Sequence, residues 1–373
     1  MSVADLLDGK RIVICAGSGG VGKTTTSAAL AMGMAARGLK VAVVTIDPAR
    51  RLATSLGLDE LGNDPARIDP ARFTEHGVEM EGELWAMMLD AKRTFDALIE
   101  RLAPDAKTRD EVLGNRIYQQ LSSAVAGSQE FTAIAKLYEL DADGDYDLLV
   151  LDTPPSRNAL DFLDAPDRLT GFFQGRAIRM FLRPAGLGGK ILGRGTGVVF
   201  GLMKRVTGVD LLQDLSVFFR SLGGMIDGFT ERAARVKALL NDPRTTFLLV
   251  TSPEREPVQE TIFFHRKLRE ARMPFGGLVV NRLREATPLE DDDTDPPGLA
   301  EALGDSLAQR VLRSAREHEG LAARDAVNVA RLRGELGDPA TVIVPQLAGD
   351  VHDVEGLALV LEHLFAEGAA TYA

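Results

Sequence analysis

The sequence predicts an α/β fold in which a mostly parallel sheet is covered by helices on both faces. Short runs rich in β-branched and other apolar residues recur along the chain and are separated by helical stretches. Strands that are apolar almost throughout are typical of sheets buried on both faces, and in such sheets ligands lie beyond the carboxyl ends of the strands. The predicted strands are 11–16, 40–45, 84–89, 147–151, 246–251, 277–281 and 341–344.

Two long helical stretches interrupt this alternation, at residues 91–140 and 161–241. The second runs for about eighty residues without a clear strand, which is too long for an ordinary loop. We therefore expect residues 1–373 to form a single α/β domain into which 91–140 and 161–241 are inserted as a helical subdomain.

The charge of the chain is distributed unevenly. The net charge of −11 argues against a general nucleic-acid binder, because phosphate backbones require clustered positive charge. Residues 168–237, however, carry 12 basic and four acidic residues, a net +8, which leaves −19 on the rest of the chain. This segment also contains 13 of the 37 glycines and many Phe and Met residues. Two interpretations stay open: a satellite hydrophobic core under a flexible loop, or an adaptable surface for an apolar partner.

Cys15 is the single cysteine, which excludes an internal disulfide framework and any zinc or iron–sulfur site built from CxxC pairs of this chain. Within an apolar strand it is expected to be a small buried hydrophobe. The N-terminus has no basic start followed by an apolar run, and nowhere do 18 apolar residues follow one another. We therefore expect neither a signal peptide nor a membrane span, and a cytoplasmic location.

Residues 17–24, GSGGVGKT, fit the pattern GxxxxGK[ST] of a phosphate-binding loop. The motif follows a predicted strand that ends at Ala16 and opens a predicted helix that runs through Met34, which is the context it requires. Its glycines let successive backbone N–H groups face a phosphate, and the helix N-terminus adds a favourable dipole. The expected nucleotide contacts in the loop are Gly19, Gly20, Val21, Gly22, Lys23 and Thr24.

Two side chains of this motif, and the residue that follows it, have expected roles. Lys23 is expected to reach the β and γ phosphates, and the Thr24 hydroxyl is expected to ligate Mg²⁺. Thr25 has two readings of equal weight, a bond to the α phosphate or an ordinary hydroxyl at the start of a helix. The sequence thus predicts binding of a nucleotide with Mg²⁺.

Two further motifs follow predicted strands, DPA at 47–49 and DTPP at 152–155. Together with the phosphate loop, they resemble the deviant-Walker ATPases of the arsenite-pump and guided-entry family, which includes the ATPase that delivers tail-anchored proteins to membranes. The resemblance extends from about residue 11 to about residue 364. It implies a single-module P-loop ATPase that works as a dimer, with the helical insertions forming a subdomain for a client or partner.

The resemblance assigns roles to two aspartates. Asp47 matches the switch I residue that orients and deprotonates the attacking water, and an acceptor near that water is what in-line attack on a γ phosphate requires. The alternative is a structural Asp that caps a helix starting near Pro48. Asp152 matches a Walker-B-like carboxylate that reaches Mg²⁺ through water. In switch II, Arg157 and Asn158 replace the family's glycine and histidine, so we expect its coupling to the helical subdomain to differ.

The resemblance also implies contacts to the base. Asn281 matches an asparagine that contacts adenine, and Pro345 and Gln346 match the loop that flanks the purine. No NKxD-like guanine motif follows this strand, which favours ATP over GTP. Glu254 resembles a family glutamate near the nucleotide, but a helix N-cap region rich in acids explains it equally well.

Ser18 is the main departure from the family. The family's loop usually carries a lysine at this position, which crosses a dimer interface to the partner's phosphates. Loss of a cation delivered in trans costs on the order of 10³ to 10⁵ in rate, judging from arginine fingers. We expect either slow hydrolysis in a homodimer or a heterodimer in which a paralogous ATPase supplies the lysine. Arg50 or Arg51 offers a local cation instead, with solvated surface arginine as the alternative.

Three functional readings follow from the sequence. The first is a Mg²⁺-dependent ATPase that couples its ATP state to dimer rearrangement and to handling of a hydrophobic membrane-protein client. The second is a weakly hydrolysing regulatory subunit of a heterodimeric ATPase pair, which Ser18 and Asn158 favour. The third is a DNA-partitioning ATPase, which only the +8 segment favours. Because the chain as a whole is acidic, we expect no stable nucleic-acid binding. With one cysteine, we expect neither arsenite binding by thiolates nor a zinc or iron–sulfur cofactor.

Overall fold

The computed structural model describes residues 2–46, 50–121, 129–153, 164–167, 170–171, 218–286 and 298–366. The chain divides into two compact units. The first unit consists of residues 1–88, 144–159 and 241–373, and the second of residues 89–143 and 160–240. The second unit contains the insertions predicted at 91–140 and 161–241 except for residue 241. Their role in binding a client or partner remains a prediction.

The strands of the described residues belong to the first unit and form one sheet. They are β1 (Ile12–Ala16), β2 (Lys40–Thr45), β3 (Ala66–Arg67), β4 (Glu83–Met88), β5 (Leu148–Asp152), β6 (Thr245–Thr251), β7 (Phe275–Leu283) and β8 (Thr341–Pro345). Their order in the sheet is β3-β4-β2-β5-β1-β6-β7-β8. Every neighbouring pair is parallel except β3 with β4. The mostly parallel α/β fold predicted from the sequence is confirmed.

Helices occupy both units of the described chain. They are α1 (Val3–Leu7), α2 (Lys23–Ala36), α3 (Arg51–Ser55), α4 (Ala71–Thr74), α5 (Ala91–Leu102), α6 (Ala106–Leu113), α7 (Arg116–Leu121), α8 (Gln129–Asp143), α9 (Ile226–Leu240), α10 (Arg255–Glu270), α11 (Leu299–Leu303), α12 (Asp305–Leu336) and α13 (Val354–Phe365). Helical residues also lie at 164–167, 170–171 and 218–223. In the part of the chain described, no helix is long and apolar enough to cross a membrane.

The centre of the sheet is buried on both faces. Every residue of β1, β5 and β6 is buried, as expected for strands that are apolar throughout. Cys15 lies in β1 with no exposed surface, and burial raises the pKa of its thiol to about 12. The prediction of a small buried hydrophobe at this position is confirmed.

Helix α2 packs into this core along nearly its whole length. It contacts α13 so closely that a Cβ atom added at Gly33 would overlap the ring of Phe365. On the same face, the Arg37 guanidinium lies 4.4 Å from the centroid of that ring. The helix that begins in the phosphate loop is therefore fixed by the C-terminal helix as well as by the sheet.

Two features of the sheet differ from the sequence prediction. The antiparallel edge strand β3 was not predicted, because a pair of residues carries no periodicity and both are exposed. Strand β7 was predicted to end at Asn281 but continues to Leu283. Between these residues its pairing with β8 shifts register, since Asn281 pairs with Val344 and Leu283 with Pro345. Arg282 is thus an extra residue in the strand, and a prediction based on an unbroken apolar run ends before such a bulge.

The described part of the second unit is helical. Helix α5 begins directly after its N-cap residue Asp90, whose Oδ1 accepts a hydrogen bond of 2.9 Å from the Arg93 amide. A charged cluster joins its helices at Glu139, which is mostly buried and pairs with Arg101 at 2.9 Å and with Arg232. Most of the basic segment 168–237 lies outside the described residues, so its two interpretations both remain predictions.

Candidate functional site

The phosphate loop follows β1, which lies between β5 and β6 in the sheet. Gly22 is the N-cap residue of α2 and has a φ of 93°, a left-handed conformation that favours glycine. Gly17 lies so close to β6 that an added Cβ atom would overlap the Val250 carbonyl. Both glycines are therefore required by the path of the loop, and the strand-loop-helix context predicted for the motif is present.

Lys23 is the first residue of α2, and its side chain is buried. Its Nζ donates a hydrogen bond of 2.7 Å to the carbonyl oxygen of Ser18, so the ammonium folds back over the loop. Ser18 is itself only 7% exposed. The lysine expected to contact phosphate therefore lies within the loop, hydrogen-bonded to a backbone oxygen.

Asp152 ends β5 and is completely buried. Its Oδ2 accepts hydrogen bonds from the Thr24 hydroxyl at 2.8 Å and from the Thr45 hydroxyl at 2.9 Å. The parallel register brings Thr45 to Asp152, because the two residues are level in β2 and β5. Asp152 is also level with Cys15 of β1, the strand that leads into the loop before Thr24. A hydroxyl and a carboxylate are hard oxygen ligands, so the pair Thr24 and Asp152 fits Mg²⁺.

Two cavities that share lining residues lie beside the loop. A cavity of about 490 Å³ is lined by the loop and by the start of α3, including Gly20, Gly22, Lys23, Thr24, Arg51 and Thr153. A second, of about 310 Å³, is lined by Asn281, Pro345, Gln346 and residues 347–351. Both cavities are lined by Thr25, Arg282, Val351 and His352. The structure thus brings the predicted phosphate contacts and the predicted base contacts to adjoining spaces.

Asn281 is nearly buried and joins the end of β7 to the phosphate loop. Its Nδ2 donates a hydrogen bond of 3.0 Å to the carbonyl oxygen of Val21, and its Oδ1 accepts one of 3.0 Å from the Arg282 amide. The backbone N–H of Gln346 donates a hydrogen bond of 2.8 Å to the backbone carbonyl oxygen of Leu283. The predicted base contacts are therefore held in place by the bulged end of β7.

Other predicted residues lie apart from these cavities. Glu254 is the N-cap residue of α10, is exposed, and lines neither cavity. Arg50 pairs with Glu60 at 3.6 Å, and both side chains are exposed, so this contact is worth little free energy. Asp47, the expected general base, lies outside the described residues, as do Arg157 and Asn158 of switch II.

The sequence did not single out Arg282 or Thr45. Arg282 lines both cavities, and its Nη1 donates a hydrogen bond of 3.1 Å to the carbonyl oxygen of Gly20. An arginine directly after an apolar run is typical of a solvated strand end, and the bulge that redirects it leaves no periodic signal. Thr45 ends its strand in the same register as Asp152, and only the order of the strands shows that they meet.

Comparison with known proteins identifies the family. The model of a family described as anion-transporting ATPase matches residues 10–295, which is most of the chain. The chain belongs to this family. The ATPase-type fold, the enzyme class and the resemblance predicted from the sequence are thereby confirmed.

Several named relatives are about one quarter identical to this chain over the residues that align. ATPase ARSA1 of Chlamydomonas reinhardtii is 28% identical over 300 residues, which cover 74% of this chain and 35% of that protein. ATPase GET3 of Malassezia globosa is 26% identical over 293 residues, which cover 77% of each chain. A putative arsenical pump-driving ATPase 1 of Aquifex aeolicus is 25% identical over 261 residues, covering 67% of this chain and 58% of that protein. The match thus spans about a third of ARSA1 and more than half of the Aquifex protein.

Proposed function

We propose that this chain is a Mg²⁺-dependent ATPase that binds ATP in the two adjoining cavities and uses its ATP state as a switch. The observation that carries the proposal is the placement of Lys23 and of the Thr24–Asp152 pair at the mouth of a loop of the GxxxxGKT type. Membership of the anion-transporting ATPase family supports the same reaction. Asn281 and Gln346 at the second cavity support adenine as the base.

In this proposal Lys23 leaves the Ser18 carbonyl when nucleotide binds and donates instead to the β and γ phosphates. The exchange replaces a neutral acceptor with an anionic one, so the ammonium gains the direct attraction between opposite charges. Thr24 and Asp152 would hold Mg²⁺, which when bound neutralises charge that develops on the phosphates. The hydrogen bond from the Thr24 hydroxyl links the buried carboxylate of Asp152 to the loop.

Hydrolysis then requires a base for the attacking water, and we assign this role to Asp47. The water oxygen forms a bond to the γ phosphorus while its proton passes to the carboxylate, and the bond to the β–γ bridging oxygen breaks. ADP and inorganic phosphate leave. Asp47 follows β2 by two positions, and β2 is adjacent to β5, whose last residue is Asp152.

The substitution Asp47→Asn tests this assignment. We expect the variant to bind ATP as the wild type does but to release phosphate at least 100-fold more slowly, because a positioned base contributes about 10² to 10⁴ in rate. Asp59→Asn is a matched control on an exposed residue of the same unit. Unchanged turnover in Asp47→Asn would favour the reading of Asp47 as a helix cap.

We further propose that the chain acts as a dimer that handles an apolar, membrane-protein client in the cytoplasm. The glycine-rich, Phe-rich and Met-rich composition of 168–237 and the resemblance to guided-entry ATPases support the client. Affinity purification of the full chain with ATP and with ADP is the test. Recovery of a hydrophobic membrane protein in one nucleotide state only is expected, and recovery of nothing in either state would contradict the proposal.

A weakly hydrolysing subunit of a heterodimer is the second candidate, and Ser18 favours it. A short side chain that is 7% exposed within its own loop does not supply a cation across an interface. In this case a paralogous ATPase provides the lysine. Turnover should then rise steeply when the paralogue is added, whereas fast hydrolysis by this chain alone, unchanged by the paralogue, would exclude the heterodimer.

A further inference from the structure

Arg282 occupies an unusual backbone position beside the proposed nucleotide site. Its φ is 60°, in the left-handed region that non-glycine residues adopt only at a cost in free energy. It is also the extra residue of the bulge at the end of β7. Bulges and left-handed residues are over-represented at functional sites, where they redirect a side chain. The hydrogen bond from its amide to Asn281 Oδ1 holds this conformation.

The conformation places the guanidinium on the phosphate loop. Nη1 donates a hydrogen bond to the carbonyl oxygen of Gly20, and the residue remains exposed. A guanidinium has five N–H donors in a planar fork, so one bond to the loop leaves donors for an anion. Arg282 lines both cavities together with Thr25, which marks the junction between the phosphate part and the base part of the site.

Within the described part of this loop, Lys23 is the one cationic side chain. Ser18 stands where the resembling family carries a lysine, and its Oγ is buried and has no hydrogen-bond partner among the described residues. Arg51 lines the larger cavity only, and Arg50 is paired with Glu60. Of the described arginines and lysines, Arg282 is therefore the one that lines both cavities.

We infer that Arg282 binds the phosphate of an adenine nucleotide nearest the ribose, and so supplies in cis a cation to a site without the family's lysine. The inference rests on the proposed function of the two cavities. A contact at the junction is common to nucleoside diphosphates and triphosphates, because both carry that phosphate. A contact to the γ phosphate would instead distinguish ATP from ADP. The contact contributes to affinity for both nucleotides and does not require a second subunit.

Titration calorimetry of ADP and of ATP against the full chain tests the inference. We expect Arg282→Gln to weaken both nucleotides about tenfold and by the same factor, since a charge-assisted hydrogen bond contributes that order of affinity. The affinity of the variant should also depend less on salt, because one ionic contact is lost. A merely structural role through Gly20 would leave the salt dependence unchanged.

Two further variants separate binding from folding. Arg282→Gly suits a φ of 60° and removes the guanidinium, so it should fold at least as stably as the wild type and still lose affinity. Arg272→Gln is the matched control, because Arg272 is exposed, has a φ of 58° and lines neither cavity. It should bind both nucleotides as the wild type does.

The outcomes distinguish this inference from the proposed function. If the wild type binds ADP and ATP while Arg282→Gln and Arg282→Gly bind them equally well, the inference is wrong and the ATP site stands. A loss confined to ATP would also overturn it, because it would place the guanidinium at the γ phosphate. If the wild type binds neither nucleotide, the proposed function itself fails.

Discussion

The hydroxyl of Thr24 donates a hydrogen bond of 2.8 Å to Oδ2 of Asp152, although the two residues are 128 positions apart. The same oxygen accepts a bond from Thr45, so three segments of the chain meet at one buried carboxylate. Parallel strands make this possible because their carboxyl ends lie at the same edge of the sheet. The relationship ties the phosphate loop to β5 and β2, and it underlies the first prediction.

Asp152→Asn should lower Mg²⁺-dependent ATP turnover by about 10- to 100-fold. This is the usual loss when a residue that orients the ligands of a metal ion is replaced. The amide keeps the size of the side chain but removes the negative charge. Phosphate release measured across a range of Mg²⁺ concentrations checks this prediction. Asp147→Asn is the control, since Asp147 lies just before the other end of β5 and accepts a bond from the Lys40 amide. Equal turnover in the two variants would argue against a role for Asp152.

Gly22→Ala should destabilise the protein more than Gly20→Ala does. Both glycines have positive φ, so each alanine costs about 1–2 kcal/mol in backbone conformation. At Gly22 the new Cβ atom would also overlap Asn281 Nδ2, whereas at Gly20 it would meet nothing within 4 Å. Chemical unfolding without nucleotide measures the difference. Equal free energies of unfolding would mean that the contact between Asn281 and the loop is loose.

Gly33→Ala should lower the free energy of unfolding by about 1–3 kcal/mol, because the methyl group would overlap the Phe365 ring in a tightly packed core. Gly320→Ala is the matched control in an exposed turn of α12, where an added Cβ meets nothing within 4 Å. There alanine should stabilise by up to about 1 kcal/mol through its helix propensity. Destabilisation by both changes, or by neither, would contradict the close packing of α2 on α13.

His265 should make the protein less stable as the pH falls. In the folded state the pKa of its imidazole is lowered, mainly by burial and further by the charge of Arg269. Its ring packs edge-on against Phe275, with 4.7 Å between the two ring centroids. The unfolded chain therefore binds a proton more readily than the folded chain, so stability rises with pH and is lost as pH falls through the unfolded pKa of about 6.5.

Urea unfolding of the wild type and of His265→Gln between about pH 5 and pH 8 measures this linkage. The wild type should lose more stability than the variant on going from the upper to the lower pH. His76→Gln controls for the loss of an exposed histidine. Parallel stability curves for wild type and His265→Gln would show that burial does not affect protonation at this site.

Much of the fold was predictable because buried parallel strands are apolar throughout. Strand β2 was predicted at its observed bounds, and β1 and β6 to within one residue. Helix α5 carries its own start signal in Asp90. Strand β3 was not predictable, since its pairing with β4 depends on tertiary contact rather than on a local pattern. The bulge at Arg282 likewise has no signature in sequence, because it is set by pairing with β8.

The site was predictable where a motif dictates a backbone. Glycines and a lysine at fixed spacing predicted Lys23 and Thr24 at the loop. The family resemblance, matched at the ends of apolar strands, pointed to Asp152 and Asn281, which lie beside the loop. Thr45 and Arg282 were not predicted to belong to the site, because their positions depend on which strands are neighbours. The hydrogen bond between Lys23 and the Ser18 carbonyl was also not predictable. A motif predicts the contact of the lysine with a ligand, but not the contact that the lysine makes within the loop in place of that ligand.

The most direct test of the central claim is phosphate release from ATP by the purified full chain, with and without Mg²⁺, beside Lys23→Ala. Lys23→Ala removes the ammonium that would contact the phosphates. We therefore expect Mg²⁺-dependent turnover in the wild type and at least a 100-fold lower turnover in Lys23→Ala, the order that loss of one stabilising donor produces. Lys10→Ala, which removes an exposed bond to the Pro243 carbonyl, is the control and should retain wild-type turnover. Equal turnover in the wild type and Lys23→Ala would contradict the assignment of this loop as the site of ATP hydrolysis.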